Sequence, residues 1–380
     1  MSYIDIKLGN EHIIQRNKFS KITIENDNGS KYVINDLFEL PSFQQKIIAE
    51  YLKVKEKPYE YFRYKINEHD KNTITLTKYI GESEHVVIPS EINGFVVTNI
   101  ENIFPNLTND IKTIIFPETL MALPSKICDR LKNLKFVQLP SLLEVIPNEA
   151  FYHCESLEHI NLKNIKEVGN YAFNYCLKLE KIDSERIEKI GRYAFYYLWD
   201  LQELNLPNIR EIDEMAFHRC AYLKKVSLGD NVTEINRCVF SCCYRIEELK
   251  LPNYLVEIKE GAFEECLGLK EVKLPNTLRK IGERGFRICR NLESINFPET
   301  LEEIGDAAFV QTKMKGPITF PKNLIRIGYK AFLDCIFDKV DIAKATKYYK
   351  DTFDEDVTID KYNKRDYVSK KEIEIEENER

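Results

Sequence analysis

The amino-acid sequence predicts an α/β repeat solenoid, a right-handed coil whose turns stack into a parallel concave sheet of about eleven rungs. Three observations lead to this fold class. Phenylalanine recurs at a fixed spacing, a short apolar segment follows it at a constant distance, and cysteine occupies the same place in most units. One unit is too short to cover its own apolar face, so the units are expected to stack and stabilise one another.

Phenylalanine sets the period of the repeat. Successive phenylalanines lie 22 residues apart three times and then 23 residues apart five times. A fixed period in the twenties is typical of solenoids with one strand per unit. A small residue, usually Ala, precedes most of them, and in seven units Cys follows three residues later. The repeated phenylalanines are Phe151, Phe173, Phe195, Phe217, Phe240, Phe263, Phe286, Phe309 and Phe332.

Each unit continues with a short segment in which apolar and polar residues alternate. In residues 201–206 the first, fourth and sixth residues are Leu and are expected to point inward, whereas Glu203 and Asn205 point outward. Proline often ends the strand, as at Pro207, because it cannot donate the next ladder hydrogen bond. A return segment then carries residues such as Ile281 inward before the next phenylalanine.

Weaker copies of the pattern extend the array at both ends. Strands are predicted at residues 111–116 and 134–139 upstream, and at 315–320 and 337–342 downstream. Together with the regular units they give the count of about eleven rungs. The solenoid is therefore expected to span residues 59–342.

The two ends of the chain lie outside the repeat. Residues 1–58 are expected to form a small α+β cap or an appended module, since terminal units of solenoids must shield the core. A hairpin is predicted at 22–34, and a helix with one apolar face follows Ser42. Residues 343–380 are expected to be a C-terminal cap and a charged tail.

A second hairpin, with strands at 62–66 and 73–78, is predicted to lead into the first rung. It follows the N-terminal segment and precedes the first copy of the repeat. The entry to the solenoid is therefore expected to be built from strands rather than from a helix.

The charge balance and hydropathy limit the partners and the location. The 380 residues include 55 basic and 61 acidic side chains, for a net charge of −6, which argues against nucleic acid as the main partner. No apolar stretch is long enough to predict insertion in a membrane. No signal peptide is visible, so a cytoplasmic location is expected, with a surface or secreted location if a leader is missing.

The residue pattern offers no foothold for catalysis, a cofactor or a metal. Seven of the ten cysteines share one repeat position, where a free thiol is expected to act as a small buried apolar group. Neither a nucleophile-elbow motif nor a phosphate-binding loop is present. The strongest metal candidates, His218, Cys220, Cys238 and Cys242, match no familiar zinc spacing. The chain is therefore not expected to be an enzyme.

The unit resembles the BspA-type leucine-rich repeat. The segment from Ile258 to Pro275, Ile-Lys-Glu-Gly-Ala-Phe-Glu-Glu-Cys-Leu-Gly-Leu-Lys-Glu-Val-Lys-Leu-Pro, matches that repeat nearly position for position. The segment from Val86 to Gly94 is similar to the usual first rung, and the resemblance covers about residues 60–342. It implies a leucine-rich-repeat fold, and it implies a surface adhesin that binds host or matrix proteins. Such proteins usually carry a secretion signal, which this sequence does not show.

The sequence predicts a non-catalytic protein–protein interaction scaffold that binds a protein on the concave face. Solenoids generally bind partners on such extended surfaces. The apolar and aromatic members cluster toward the N-terminal end, as expected for the centre of an interface. The predicted contact residues are Ile115, Phe136, Gln138, His159, Asn161, Lys181, Asp183, Glu203, Asn205 and Lys225.

Three alternatives stay open from the sequence. They are an adhesin-like protein, an effector in which the repeats select a target and residues 1–58 carry a separate activity, and a self-assembling protein. Tyrosines on the turn side, such as Tyr193 and Tyr197, are either a second contact surface or packing between successive turns. Neither the partner nor the oligomeric state is predicted.

Overall fold

The computed structural model of the chain describes residues 4–8, 11–15, 22–26, 31–34, 46, 54, 57–104, 110–182, 184–362 and 370–372. For the first four of these segments it describes the backbone alone. The chain folds into two compact units, residues 1–165 and 166–380. The boundaries predicted from the repeat, at residues 58 and 342, stay predictions.

The first unit begins with a four-stranded antiparallel sheet in which each strand pairs with the next along the chain. Its strands are Ile4–Leu8, Glu11–Gln15, Ile22–Asn26 and Lys31–Ile34. The hairpin predicted at 22–34 is confirmed, since its two strands pair from Ile22 opposite Ile34 onward. The helix predicted after Ser42 lies outside the described residues, apart from Lys46, which is helical.

A second sheet of the first unit follows the short helix Pro58–Tyr61, in which proline occupies the first turn, where its missing N–H is tolerated. The second predicted hairpin is confirmed as an antiparallel pair with a register shift after Arg63. An Asn93–Gly94 turn with φ of 52° and 83° joins two further antiparallel strands, as a two-residue hairpin loop requires. The strands are Phe62–Ile66, Thr73–Tyr79, Glu91–Ile92 and Phe95–Ile100.

The long-strand ladder is the set of parallel strands formed by the predicted apolar segments, which pair within several short sheets. In the first unit it contains His85–Val87, Thr113–Ile115, Phe136–Gln138 and His159–Ile160. In the second unit it contains Glu203–Leu206, Lys225–Leu228, Glu248–Lys250, Glu271–Val272, Ser294–Ile295, Ile318–Thr319, Lys339–Ala343 and Thr358–Tyr362. The last of these also pairs antiparallel with Lys370–Glu372. Inward residues of neighbouring strands, such as Leu204 and Val226, share one register position and are buried.

A second strand forms in each return segment, where the sequence predicted only an inward-facing connection. The short-strand ladder consists of these two-residue parallel strands, and Ile281 is buried in it as expected. In the first unit it contains Val145–Ile146. In the second unit it contains Glu167–Val168, Lys189–Ile190, Glu211–Ile212, Glu234–Ile235, Glu257–Ile258, Lys280–Ile281, Glu303–Ile304 and Arg326–Ile327.

The turns that carry phenylalanine form a third set of contacts, the turn ladder. Two residues with positive φ flank each phenylalanine, as Tyr193 (54°) and Tyr197 (63°) flank Phe195. Their N–H groups and that of Phe195 donate to carbonyls within 214–218 of the next repeat, over 3.2, 2.9 and 2.9 Å. A left-handed non-glycine residue costs about 1–2 kcal/mol. Each hydrogen bond contributes about 0.5–1.5 kcal/mol, so the three bonds offset much of that cost.

The turn ladder also explains where the predicted fold class differs from the structure. The parallel solenoid is confirmed, with about twelve turns. The repeats reverse direction through tight turns rather than helices, because the left-handed residues interrupt helical backbone every few positions. Within the described segments, helical backbone is confined to Lys46, Val54, Pro58–Tyr61 and the 3-10 turn Lys350–Thr352. The α/β label and the count of about eleven rungs are therefore not confirmed.

Repeats of 22 and 23 residues differ at one place, the connection from a long strand to the following short strand. Four residues separate Leu206 from Glu211, whereas five separate Leu228 from Glu234. The distance from phenylalanine to the end of the long strand is the same in both kinds of repeat. The extra residue therefore lies outside all three ladders.

The phenylalanine rings form a continuous stack through the core of the second unit. From Phe173 to Phe332, successive rings are fully buried, with centroids 5.1–5.6 Å apart and planes within 1–11° of each other. Phe353 continues the stack, since its ring lies 5.5 Å from that of Phe332 at 13°. Phe353 therefore packs on the last ring of the repeated series. The role of residues 343–380 as a cap and tail stays a prediction.

The cysteines of the repeat have a backbone partner. The thiol of Cys266 donates to the carbonyl of Phe240 in the preceding repeat at 3.2 Å, and Cys289 does the same to Phe263 at 3.2 Å. Burial raises the pKa of the Cys289 thiol to about 12, so it stays protonated and can donate. A thiol fits this place because it is small and apolar yet carries a weak donor.

Replacing Phe263 with Ala should lower the free energy of unfolding by about 3–5 kcal/mol, because it removes a fully buried ring from the stack. Neighbouring repeats should unfold with it, since each repeat is stabilised by its neighbours. Urea melts followed by circular dichroism measure the loss. Lys273→Ala, at a largely exposed side chain, is the control and should change little. A Phe263→Ala protein as stable as the wild type would contradict the stack.

The ten cysteines should all titrate as free thiols in denaturant, since none forms a disulfide in the structure. In the native protein at neutral pH the reaction should be slow and incomplete, because nine of the ten thiols are buried and out of reach of the reagent. A chromogenic disulfide reagent measures both rates. A total well below ten in freshly purified, unreduced protein would contradict the assignment of ten free thiols.

Candidate functional site

The first unit presents fewer of the predicted contact residues than expected. Ile115 and Gln138 are buried, with 5% and 1% of their surface exposed, so their predicted exposure is wrong. The Gln138 amide donates to the carbonyl of Leu139 at 3.2 Å, which satisfies it within the fold. Burial of the apolar Ile115 side chain is favourable in itself. Phe136 is half-buried and His159 is exposed, so these two residues remain accessible.

Asn161 serves the fold rather than the surface. Its side-chain oxygen accepts a hydrogen bond from the N–H of Leu139 at 2.6 Å, and its amide donates to the carbonyl of the same residue at 3.1 Å. Asn296 makes the same pair of bonds to Leu274, at 2.8 and 3.1 Å. The asparagine thus replaces a strand hydrogen bond between repeats, and its predicted role as a contact residue is not supported by its geometry.

The second unit exposes the rest of the predicted set. Lys181, Glu203, Asn205 and Lys225 are all exposed, whereas Asp183 lies outside the described residues. Lys225 lies opposite Glu203 in the parallel register, with its ammonium nitrogen 3.9 Å from the carboxylate. The alternation expected from the sequence therefore holds for this part of the ladder.

The long-strand groove is a shallow depression of about 660 Å³ on the outer side of these strands. Lys225 also lies 3.3 Å from Glu248, and Glu271 lies 3.8 Å from Lys273. Exposed pairs of this kind contribute about 0–1 kcal/mol each, so they make the surface polar without fixing the fold. Its polar lining residues include Glu203, Asn205, Lys225, Ser227, Glu248, Lys250, Glu271 and Lys273.

The predicted metal candidates do not assemble. The thiol of Cys220 donates to the carbonyl of Phe195 at 3.3 Å and belongs to the core. Burial is the largest cause that raises the pKa of Cys238, to about 11, which disfavours the thiolate that a metal needs. Among the residues that the structure describes, no group of three or more His, Cys, Asp or Glu side chains is placed to hold a metal ion.

The turn-side aromatic patch is a surface of the second unit that lies along the turn ladder. Tyr171 stacks on Tyr193 at 5.0 Å and 9°, and Tyr175 stacks on Tyr197 at 5.0 Å and 13°. These tyrosines therefore pack between successive turns, which was one of the two sequence interpretations. The members of the patch are Tyr171, Tyr175, Tyr193, Tyr196, Tyr197, Trp199, His218 and Tyr222.

Trp199 and two arginines complete this patch, and the sequence analysis did not single them out. The indole lies 5.7 Å from the rings of both Tyr197 and Tyr222 and is 40% exposed. The guanidinium of Arg219 lies over Tyr197 at 5.9 Å, and that of Arg245 lies over Tyr222 at 4.6 Å. Alignment of the repeats on their phenylalanines would have placed these side chains on one turn surface.

His218 lies within the patch and is mostly buried. Its ring stacks on Tyr196 at 5.3 Å and 22°. Burial, followed by the positive charge of Arg219, lowers the pKa of His218 from 6.5 to about 4. The imidazole is therefore neutral at physiological pH, and the arginines carry the positive charge of the patch.

The family of the chain follows from its repeats. The model of the BspA type leucine-rich repeat region matches residues 98–224, 188–315 and 281–364, with six copies. The chain belongs to the BspA type leucine-rich repeat family. The resemblance read from the sequence is confirmed, and the matched segments continue past residue 342, through the strand Thr358–Tyr362.

Several solved structures are similar to this chain. A leucine-rich repeat protein from Bacteroides ovatus is 21% identical, over 80% of this chain and 98% of that one, with a TM-score of 0.47. The T. pallidum leucine-rich repeat protein is 27% identical, over 56% and 90%, with a TM-score of 0.42. A leucine-rich cell surface protein from Faecalibacterium prausnitzii is 20% identical, over 81% and 96%, with a TM-score of 0.40. No curated protein matches the chain.

The helical content of the described segments bears on membrane insertion. In that part of the chain, no helix is both long enough and apolar enough to cross a bilayer.

Lowering the pH from 6.5 to about 4 should destabilise the second unit through His218. The folded pKa lies below the ordinary value, so in this window the unfolded chain binds a proton that the folded chain does not. Stability therefore falls as the pH falls, by about 1–2 kcal/mol after allowance for the exposed part of the ring. Urea melts over this pH range should show a shallower slope for His218→Gln. Equal slopes in the two proteins would contradict the assignment.

Proposed function

We propose that this protein is a non-catalytic protein–protein interaction scaffold that binds a protein partner on the outer side of its long-strand ladder. This is the face that the sequence predicts to be concave. The observation that carries the proposal is the register of the exposed side chains: Glu203, Lys225 and Glu248 occupy one position on successive strands. Parallel pairing holds such a row of polar groups in fixed positions, and solenoids generally bind partners on surfaces of this kind.

The proposed contact set follows from exposure. In the first unit it keeps Phe136 and His159, which are paired in the strand register. In the second unit it keeps Lys181, Glu203, Asn205 and Lys225, and Asp183 stays in the set as a sequence prediction. The buried Ile115 and Gln138 and the hydrogen-bonded Asn161 are left out of the contact set.

The half-buried aromatic ring of Phe136 beside a polar imidazole supplies the apolar part of the contact in the first unit. In the second unit the long-strand groove supplies charged groups of both signs. Aromatic anchors contribute most of the affinity in protein interfaces, whereas charged rims contribute specificity and association rate. A protein partner is therefore a better match than a nucleic acid, which needs a basic surface.

Leucine-rich-repeat families are generally not enzymes, and the proposal contains no chemical step. The cytoplasmic location stays a prediction, with a surface location as the alternative that the family resemblance implies. A separate activity in residues 1–58 is the second alternative. Partner capture by the chain with and without residues 1–58 would distinguish this alternative from a scaffold. A scaffold keeps partner capture without the segment, as long as the solenoid stays folded.

Charge reversal at Lys225 should weaken the affinity for the partner about tenfold. Lys225→Glu places a third carboxylate between those of Glu203 and Glu248. Affinity capture with mass spectrometry from the source cells identifies the partner, and calorimetry with that purified partner measures the Kd. Lys189→Glu is the matched control, since Lys189 has the same side-chain exposure of 51% but lies on the short-strand ladder.

The first unit is tested separately. Phe136→Ala and His159→Ala should weaken capture of the same partner while the melting temperature stays unchanged for His159→Ala, whose side chain is exposed. Unchanged affinity in Lys225→Glu, Phe136→Ala and His159→Ala together would reject the long-strand face as the binding surface.

A further inference from the structure

We propose that the turn-side aromatic patch is a second binding site, for an acidic peptide segment of a protein partner. Trp199 provides the apolar contact in this site, and Arg219 and Arg245 bind carboxylates near it. The site is independent of the long-strand face, because it is built on the turn ladder and shares no residue with the proposed contact set.

Ring contacts connect the three side chains in one series, the row. Arg219 lies over Tyr197, Tyr197 lies 5.7 Å from Trp199, Trp199 lies 5.7 Å from Tyr222, and Arg245 lies over Tyr222. Trp199 and Tyr222 are 40% and 36% exposed. An exposed apolar ring is thus connected through one tyrosine to each of two cations, within a stretch of surface that a few extended residues can span.

The arginines around Arg219 and Arg245 form ion pairs with carboxylates. Arg192 and Arg237 both pair with Glu214, at 3.3 and 3.8 Å, and Arg237 also lies 3.1 Å from Glu260. Over the described part of the chain, neither Arg219 nor Arg245 lies within ion-pair distance of a carboxylate. Two exposed and unneutralised cations in a protein of net charge −6 favour a partner with negative charge.

The aromatic groups favour the same chemistry. Stacking between turns hides the faces of tyrosines such as Tyr193 and leaves ring edges and hydroxyl groups at the surface. Ring edges carry partial positive charge, and hydroxyl groups donate hydrogen bonds. A guanidinium group presents a planar fork that matches a carboxylate, and its position over a ring limits the entropy lost on binding. Trp, Tyr and Arg are also the residues enriched at the centres of protein interfaces.

An acidic peptide fits better than a long polyanion. The cations beside the row are already paired with Glu214 and Glu260, whose carboxylates repel a dense run of negative charge. Single-stranded nucleic acids need free aromatic faces for stacking, and here the tyrosine faces are taken by neighbouring rings. A peptide in which carboxylates alternate with aliphatic side chains supplies both the charge for the arginines and an apolar group for Trp199.

The single tryptophan of the chain makes the site directly observable, because all indole fluorescence comes from Trp199. The full-length chain is titrated with a blocked octapeptide of alternating glutamate and leucine, with the glutamine–leucine peptide as the neutral control. The acidic peptide should cause a saturable change in fluorescence, and the neutral peptide should not. The expected Kd lies in the micromolar range or weaker, as for a small interface.

Arg219→Gln and Arg245→Gln should each raise the Kd by about tenfold, as expected for loss of a charge-assisted hydrogen bond. Arg237→Gln is the matched control and should leave the Kd unchanged, because that arginine is already paired. Both arginines of the row are exposed, so the variants should fold, which circular dichroism checks. If one variant does not fold, the other alone decides the assignment.

Three results would overturn the proposal. The first is no saturable fluorescence change with the acidic peptide. The second is a rise in the peptide Kd in Arg237→Gln as large as in Arg219→Gln or Arg245→Gln. The third is arginine-dependent binding of a heparin oligosaccharide without binding of the peptide. Lys225→Glu in the long-strand groove should leave the peptide Kd unchanged. The failure of this site and the failure of the long-strand face are therefore distinguishable.

Discussion

The hydrogen-bonded turn around each phenylalanine is the contact on which the rest of this solenoid depends. Residues with positive φ on either side, such as Tyr193 and Tyr197, turn three N–H groups toward the next repeat. The same turn places the ring of Phe195 in a stack with its neighbours and brings the next cysteine thiol to its carbonyl. Backbone bonding, aromatic packing and thiol capping thus share one geometry, so a change in one disturbs the other two.

This geometry also determines what each surface can offer a partner. On the long strands, side chains alternate between core and solvent, and the outer row is polar and nearly neutral, as between Lys225 and Glu203. On the turns, no such alternation applies, and large side chains at successive repeats must stack on one another. That is why the exposed rings of Trp199, Tyr222 and Tyr244 lie along the turns, and why arginines there lie over rings.

Most of the fold could be predicted from the sequence, because phenylalanine recurs every 22–23 residues and apolar segments such as residues 201–206 follow it at a constant distance. The short strands were missed, since two residues such as Lys189–Ile190 give no periodicity to recognise. The site was predicted less well. Ile115 and Gln138 have the outward phase of a strand, but burial depends on tertiary neighbours that the phase does not show. Trp199 was not predicted because it and its partners occupy different positions in their repeats. Trp199 lies four residues after its phenylalanine, whereas Tyr222 and Arg245 lie five residues after theirs.

The connection between the long and short strands has a consequence for how such chains change in evolution. Its length varies between Leu206–Glu211 and Leu228–Glu234 while every ladder on either side keeps its register. Insertions there lower the stability of the fold only slightly, since lengthening a surface loop adds little to the entropy cost of closing it. Insertions near Phe195 would instead misalign three ladders at once. New loops and sequence diversity in this family are therefore expected to accumulate along one edge of the coil, leaving the turns as its fixed frame.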